Sequence, residues 1–263
     1  MQTKTPAQER RDKIVYGTLA VFLFLVIWFL VTKFTSFGEI FPDPVTVLAN
    51  IGDKFVNPLG KVTLWGHIIV SIRRVLAAFL VAAAGGIVLG VTMGWYPVVE
   101  AVFKPLIEFL RPIPPIAWIP ISILWYGFSE MSKYFLIFLA SFFVITISVY
   151  SGVKSVDPML IRAARMLGAK DNQLFTTIII PSVVPYIFSG LQVALGNSWA
   201  SIVAAEMVQS DRGVGWIIIT GQQSSNMVQI VTGIVCIAVV GMVLVMIMRG
   251  LENKLCAWNK QGR

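Results

Sequence analysis

Long uncharged runs dominate the hydrophobic pattern of this chain. Six runs contain no Asp, Glu, Lys or Arg: Ile14–Thr32, Val75–Val99, Pro112–Ser129, Tyr134–Val153, Asn172–Ala205 and Val214–Met248. Each is close to or longer than the roughly 20 residues that carry a helix across a bilayer. Lipid offers no partners for backbone groups, and membrane strands would show alternation rather than solid apolar runs. The pattern therefore predicts an all-α membrane protein with six transmembrane helices.

The segments between the runs divide the chain into predicted parts. These are a cytoplasmic N-terminus (1–13), a first transmembrane helix (14–32), a periplasmic loop with interfacial helices (33–74), a five-helix core (75–248) and a cytoplasmic tail (249–263). The first run follows a basic stretch but lacks a small-x-small cleavage pattern, so we interpret it as a retained helix and not a signal peptide.

The distribution of Lys and Arg orients these helices. With the N-terminus inside, the outer segments hold only Lys33, Lys54, Lys61, Arg73, Arg74, Lys133 and Arg212 of the 21 basic residues. The remaining two thirds fall in cytoplasmic segments, as the positive-inside rule requires. Both termini are therefore predicted to be cytoplasmic. The net charge of +8 is explained by this topology, so we expect no nucleic-acid partner.

Composition supports a membrane location and excludes several kinds of site. The chain is 57% hydrophobic and 13% charged, with a mean hydropathy of +0.80, whereas soluble domains carry about 25% charged residues. His67 is the only histidine, which favours a structural role over a metal site. No G-x-x-x-x-G-K-[ST] loop occurs, so ATP is not expected to bind through that motif. We expect no catalytic, metal-binding or cofactor-binding residues in this chain.

Two of the runs have unusual local composition. The second carries Ala82–Gly86 followed by Gly90 and Gly94, and small residues at this spacing favour close packing of a neighbouring helix. The third opens with prolines at 112, 114 and 115 and has a further Pro120, which predicts a broken or kinked helix. Irregular backbone is tolerated in a membrane only beside protein or water, so this segment is predicted to border a pathway.

The segment between the fourth and fifth runs predicts a helix-turn-helix. Asp157 is a candidate N-cap, Pro158 suits the first helical position, and Gly168 suits the left-handed residue beyond the end. Asp171 is predicted to cap a second helix. One face of the first helix is apolar, with Arg162 and Arg165 pointing elsewhere; it comprises Leu160, Ala163, Ala164 and Leu167. From the residues alone, this face either seats another protein or packs on the chain's own helices.

The same segment resembles the "EAA" loop of bacterial binding-protein-dependent ABC permeases. The resemblance rests on Ala163-Ala164, Gly168 and Ile178-x-Ile180-Pro181, although Arg162 stands where that family has an acidic residue. In the family this loop forms coupling helices (here 157–177) that dock on an ATPase subunit. The resemblance implies coupling contacts at Asp157, Leu160, Arg162, Ala163, Ala164, Leu167, Gly168, Ala169, Leu174 and Phe175.

Further stretches extend the resemblance over nearly the whole chain. Leu110–Trp118, Leu124–Gly127, Gly152–Val156 and Val203–Met207 are similar to the nitrate/sulfonate/taurine branch, and most of all to the taurine permeases. This implies a type I importer fold, an inner-membrane location, and taurine or a related sulfonate as cargo; nitrate, bicarbonate or a heterocyclic precursor are alternatives. The implied partners are a second copy, two ATPase subunits that hold ATP and Mg, and a periplasmic substrate-binding protein.

Polar residues in the fifth run are candidates for the substrate path, because polar groups are costly in a bilayer. Asn197 and Ser198 offer hydrogen bonds to an anionic head group, and Trp199 can cover a short carbon chain. The predicted pathway residues are Trp118, Gln192, Asn197, Ser198, Trp199 and Glu206. Hydrogen bonding between helices is an equal alternative for them. Glu206 is expected to pair with Arg212 or to gate the outer mouth.

The charge-free runs also bear on rival functions. We expect no buried Arg or Lys in any span, which argues against a tight anion site in this subunit. A secondary transporter would need intramembrane ionisable residues, and the runs contain no Asp, Glu, Lys or Arg. An intramembrane enzyme would need paired carboxylates, a Ser-His pair or metal ligands within the runs, and the sequence supplies none.

Overall fold

The computed structural model describes residues 6–256, and this part of the chain is almost entirely helical. It contains eleven α-helices: α1 (Pro6–Phe34), α2 (Pro44–Val56), α3 (Leu64–Trp95), α4 (Pro97–Leu110), α5 (Ile119–Tyr126), α6 (Glu130–Lys154), α7 (Pro158–Met166), α8 (Asp171–Leu174), α9 (Ile180–Gln209), α10 (Val214–Gln223) and α11 (Met227–Leu255). Short 3-10 turns occupy Ser36–Glu39 and Pro115–Trp118, and a π-helical turn, Phe175–Ile179, joins α8 to α9.

Five of these helical segments are long and apolar enough to cross a membrane. They are Val15–Phe34, Leu64–Trp95, Glu130–Lys154, Asp171–Val208 and Met227–Leu255. A sixth span results if the pair Pro97–Leu110 and Pro115–Tyr126, bent by 88°, counts as one. The all-α membrane fold predicted from the apolar runs is therefore confirmed.

The bend between α4 and α5 has its cause in the sequence. Proline lacks a backbone N–H and its ring blocks the preceding helical turn, so Pro112, Pro114 and Pro115 end α4 at Leu110. The chain resumes as a 3-10 turn before α5. The helix is broken at the prolines that predicted the break, but α4 itself begins at Pro97, well before the predicted span.

Two helix boundaries differ from the predicted spans. The helix expected from Val75 begins at Leu64, because the periodic apolar pattern continues backward through that segment and no proline interrupts it. The last run is two helices, since Ser225 takes a left-handed φ of 52° and Asn226 then caps α11 by accepting the Gln229 N–H at 3.0 Å. The predicted end of the outer loop is therefore helical, and α11 carries the last span.

The chain divides into two compact units, the first being Met1–Leu64 with Ile217–Val235. Within it the Trp28 indole N–H donates to the Pro42 carbonyl oxygen at 3.1 Å. Asp43 caps α2 by accepting the backbone N–H groups of Val45 and Thr46, at 2.9 and 3.0 Å. The Thr46 hydroxyl and these backbone donors hold the pKa of the Asp43 carboxyl below its ordinary value.

The second unit, Trp65–Trp216 with Cys236–Arg263, is organised around α6. Glycines of α3 lie directly against α6: a Cβ at Gly90 would be 2.6 Å from the Thr146 carbonyl oxygen, and one at Gly86 would be 3.1 Å from Ile145 Cβ. Gly190 of α9 lies equally close to Ser148 of α6. The prediction that small residues of the second run allow close helix packing is confirmed.

This packing predicts the effect of enlarging Gly90. Gly90→Leu should lower the thermal unfolding midpoint of the detergent-purified protein, because overpacking costs about 1–3 kcal/mol and the nearest atom is unyielding backbone. Gly17→Leu is the control, since no atom lies within 4 Å of its added Cβ. Equal midpoints for the two variants would show that α3 and α6 do not pack as described.

Candidate coupling surface and transport cavity

The segment after α6 folds as an elbow of α7 and α8. The Asp157 carboxylate accepts the Met159 N–H at 2.8 Å, and Pro158 opens α7. Gly168 has a φ of 83°. Its N–H bonds the Arg165 carbonyl while that of Ala169 bonds the Ala164 carbonyl, both at 3.0 Å. This is the Schellman arrangement that satisfies a helix C-terminus, so the predicted caps at both ends of α7 are present.

The apolar face of α7 is largely exposed in the part of the chain that the structure describes. No residue of α7 is buried. Leu160 is 55% exposed, and Leu167, just past the helix, is 89% exposed. Ala163 is exposed and Ala164 half-buried. Packing on the chain's own helices, one of the two possibilities left open by the sequence, therefore covers little of this face in the described chain.

The second arm of the elbow is anchored. Lys170, and not Asp171 as expected, precedes α8 as its cap residue: the Gln173 side chain accepts the Lys170 N–H at 2.9 Å, which leaves Asp171 free to pair with Arg165 at 3.1 Å. Leu174 is fully buried. The Phe175 ring meets the Trp95 ring edge-on at 5.6 Å between centroids. Leu174 and Phe175, two of the implied coupling contacts, therefore pack the elbow against other residues of the second unit, while the apolar face of α7 stays exposed.

A buried charge cluster lies where α3, α6 and α9 approach one another. Arg74 is 3% exposed, and its Nη1 donates to Glu206 Oε1 at 2.9 Å and to the Arg212 carbonyl oxygen at 2.8 Å. Its other nitrogens contact Glu130, at 2.6 Å from Nε and 2.5 Å from Nη2. Glu206, fully buried, also accepts from the Ser71 hydroxyl at 2.8 Å. The cluster fixes the end of α9 to α3 and α6.

This cluster corrects three expectations. Glu206 pairs with Arg74 and not with Arg212, whose side chain lies 3.5 Å from Asp211. Arg74 was assigned to an outer loop but belongs to a long helix. Arg74 and Lys133 are both buried within candidate spans, so the expectation of no buried Arg or Lys, and the argument it gave against a tight anion site, is wrong. The spans therefore contain ionisable residues that the uncharged runs lack, which also removes the premise of the argument against a secondary transporter. Ion pairs make these burials possible: Arg74 pairs with carboxylates of α6 and α9, and Lys133 pairs with Glu130 of its own helix.

His67 has the structural role favoured from the sequence. The side chain is buried, its Nδ1 accepts the Gly213 N–H at 3.0 Å, and its ring stacks on Trp216 at 5.1 Å. Within residues 6–256, no group of three or more His, Cys, Asp or Glu is arranged to hold a metal ion.

Three predicted pathway residues are engaged in contacts between helices. Ser198, fully buried, shares a short hydrogen bond with the Ser141 hydroxyl. The buried Trp199 indole donates to the Ile237 carbonyl oxygen at 3.0 Å, and Gln192 donates to Glu252. These are the hydrogen bonds that formed the alternative to a substrate role.

The remaining pathway candidates, Trp118 and Asn197, line one cavity of about 250 Å³. Its full lining is Arg111, Ile113, Pro115, Trp118, Leu139, Ala140, Phe143, Val144, Asn197, Ala200 and Ser201. The broken segment between α4 and α5 forms one wall, as its prolines predicted. Sequence reasoning missed Arg111 here because the residue counted only as a cytoplasmic charge, although its place beside three prolines was a usable signal.

A polytopic helical chain with an exposed apolar elbow and a cavity beside a broken helix has the features expected of the membrane-spanning part of a transporter. The chain belongs to the family described as "Binding-protein-dependent transport system inner membrane component", whose sequence profile matches residues 86–255. It is thus a permease subunit of an ABC importer, as the EAA-like loop indicated.

Named relatives agree with this class. A protein of Methanocaldococcus jannaschii named as an ABC transporter permease is 40% identical over 99% of this chain and 96% of its own length. The taurine transport system permease protein TauC of Escherichia coli is 35% identical, covering 95% of this chain and 91% of its own. The nitrate import permease protein NrtB of Synechocystis is 32% identical over 92% and 89%.

A solved structure supports the fold. The MetNI methionine ABC transporter contains a chain that superimposes with a TM-score of 0.56, covering 73% of this chain and 95% of that one, at 16% sequence identity. The predicted type I ABC importer fold is confirmed.

Proposed function

We propose that this chain translocates taurine or a related sulfonate across the inner membrane, by alternating access, as the non-catalytic subunit of an ATP-driven importer. The proposal that transport is driven by ATP rests on the exposed apolar face formed by α7 and Leu167. Helix α7 is capped at both ends, yet this face has no partner within the described chain. A contiguous apolar surface of this kind is typical of a protein interaction site.

The energy for transport comes from outside this chain. The sequence has no P-loop, so ATP and Mg are held by a separate ATPase that docks on the elbow. Two ATPase copies need two elbows, and a two-fold dimer of this subunit supplies them. A periplasmic binding protein delivers the cargo, and both termini of the subunit are cytoplasmic.

The contacts of the elbow support a mechanical link to the cavity. The Arg165–Asp171 pair ties α7 to α8, and the π-helical turn Phe175–Ile179 continues α8 into α9. Helix α9 then carries Asn197, which lines the cavity. A displacement of the elbow by the ATPase therefore moves a cavity wall, which is how one site opens alternately to each side.

Two observations favour a sulfonate as the cargo: the similarity of this chain to TauC and the charge of the residues that line the cavity. TauC is a taurine permease by name and covers almost all of this chain, whereas NrtB, a nitrate permease, is somewhat less similar. The cavity has a guanidinium and no carboxylate in its lining, which suits an anionic head group. Nitrate import is the alternative that the relatives favour; bicarbonate and a heterocyclic precursor remain further alternatives from the family.

Reconstitution tests the proposal. Proteoliposomes that contain the chain, its ATPase and its binding protein should accumulate labelled taurine with ATP and not with a non-hydrolysable analogue. Nitrate serves as the competing cargo. Uptake that follows an ion gradient without ATP would identify a secondary transporter, and ATP-driven uptake of nitrate but not sulfonates would reject the proposed cargo.

A further inference from the structure

We propose that the cavity between the α4–α5 break, α6 and α9 is a binding site within this subunit for a short-chain alkanesulfonate. The head group would lie on Arg111, Asn197 and Ser201, and the uncharged carbon chain would lie against the apolar wall. This inference rests on the proposed function, to which it adds a binding site and a preference among sulfonates.

Arg111 is the cation of this site. Within residues 6–256 its guanidinium forms no ion pair and no hydrogen bond, whereas Arg74 is bonded to two carboxylates. Arg111 also caps α4, where a positive charge favours the helix C-terminus, but that role does not require a cavity around the side chain. A guanidinium offers two parallel N–H donors to sulfonate oxygens, as it does to carboxylate or phosphate.

Helix α9 supplies the neutral donors. Asn197 and Ser201 are four residues apart, so they share one face of the helix, and both line the cavity. In the described chain neither side chain holds a hydrogen bond, while Ser198 and Trp199 between them are bonded elsewhere. An amide N–H and a hydroxyl thus remain available to an anion.

The rest of the lining sets the size and polarity of the ligand. Leu139, Phe143 and Val144 of α6 form an apolar wall, and Trp118 stands edge-on to Phe135 at 6.3 Å, which fixes its ring. Pockets that bind drug-sized ligands have volumes of about 300–1,000 Å³. The cavity, at about 250 Å³, suits a smaller molecule.

The absence of acidic residues from the lining makes a prediction about charge. Taurine carries an ammonium group as well as its sulfonate, and no Asp or Glu lines the cavity to receive it. An alkanesulfonate of the same length, such as ethanesulfonate, presents only the head group and an apolar chain. The site should therefore bind ethanesulfonate more tightly than taurine, whereas a transport pathway without a binding site would bind neither compound.

The test measures binding to the detergent-purified complex of this chain with its ATPase, without the binding protein. Equilibrium dialysis with labelled ethanesulfonate should show saturable binding, with taurine a weaker competitor. Arg111→Gln should weaken binding at least about tenfold, because a charged hydrogen bond is lost, and Arg111→Lys should retain part of it. Arg73→Gln is the matched control, since Arg73 is exposed and has no partner within residues 6–256.

A second variant and a transport assay complete the test. Asn197→Leu should weaken binding because it removes the amide donor of α9 and leaves Arg111 in place. Co-purification of the ATPase reports that each variant is folded. Wild-type protein that does not bind ethanesulfonate, binds taurine as well or better, or binds equally after Arg111→Gln, overturns the site. If ATP-driven uptake persists in that case, selectivity lies in the binding protein and the proposed function stands; loss of ATP-driven uptake in the wild type rejects the function itself.

Discussion

The Arg74→Met variant is expected to lose about 3 kcal/mol of folding stability or more, because removing one member of a buried ion pair leaves the other charge unpaired. Glu206 is fully buried and would keep only neutral donors, the Ser71 hydroxyl and the Gly215 N–H. For a chain of this size, that loss lowers the thermal midpoint by roughly 6–12 °C. The measurement is thermal unfolding of the detergent-purified protein.

The neighbouring residue provides the control for this experiment. Arg73→Met removes the same charge from an exposed position and should change the midpoint little. The double variant Arg74→Met/Glu206→Leu should recover part of the loss, since it removes both buried charges. Equal midpoints for Arg73→Met and Arg74→Met would mean that the buried cluster contributes nothing to stability.

The second large effect is expected at the elbow. Leu167→Glu should abolish both ATPase co-purification and ATP-driven uptake, because it replaces the most exposed leucine of the apolar docking face with a charge. The side chain is 89% exposed within this chain, so membrane insertion and thermal midpoint should be those of the wild type. Affinity for the ATPase is predicted to fall at least about thirtyfold, from a loss of about 2 kcal/mol or more.

Leu167→Met is the matched variant, because it keeps the volume and the apolar character of the side chain. It should co-purify with the ATPase as the wild type does. If Leu167→Glu still co-purifies and still transports, the elbow is not where the ATPase acts, and the proposed coupling is wrong even if transport requires ATP.

Features set by local chemistry could be predicted from the sequence. The lengths of the uncharged runs predicted the helical membrane fold, and the prolines after Arg111 predicted a break. The caps of α7 followed from Asp157, Pro158 and Gly168, because each of these residue types is favoured at one position of a helix end. None of these predictions needed a partner elsewhere in the chain.

Features that depend on distant partners could not be predicted in this way. Arg74 lies 132 residues from Glu206 in the sequence. Membrane spans were predicted from runs without charged residues, so an arginine was assigned to a loop because its carboxylate partner could not be identified from the sequence. The same limit applied to Ser198, whose partner Ser141 is on another helix. Arg111 was missed because the sequence analysis counted it only as a cytoplasmic charge, and it shares a cavity with residues of α6 and α9 that are distant in the sequence.

The α7 helix has only nine residues, fewer than the number that holds a helix together in water, and it buries no side chain. Its shape is therefore maintained mainly at its two ends by Asp157 and Gly168, and the exposed residues between them contribute little to the folding of the subunit. Substitutions at these exposed positions could therefore adapt the surface to a different ATPase while the helix α7 and the fold around it stay intact. The contact surface between the ATPase and the permease can in this sense be exchanged without loss of the permease fold.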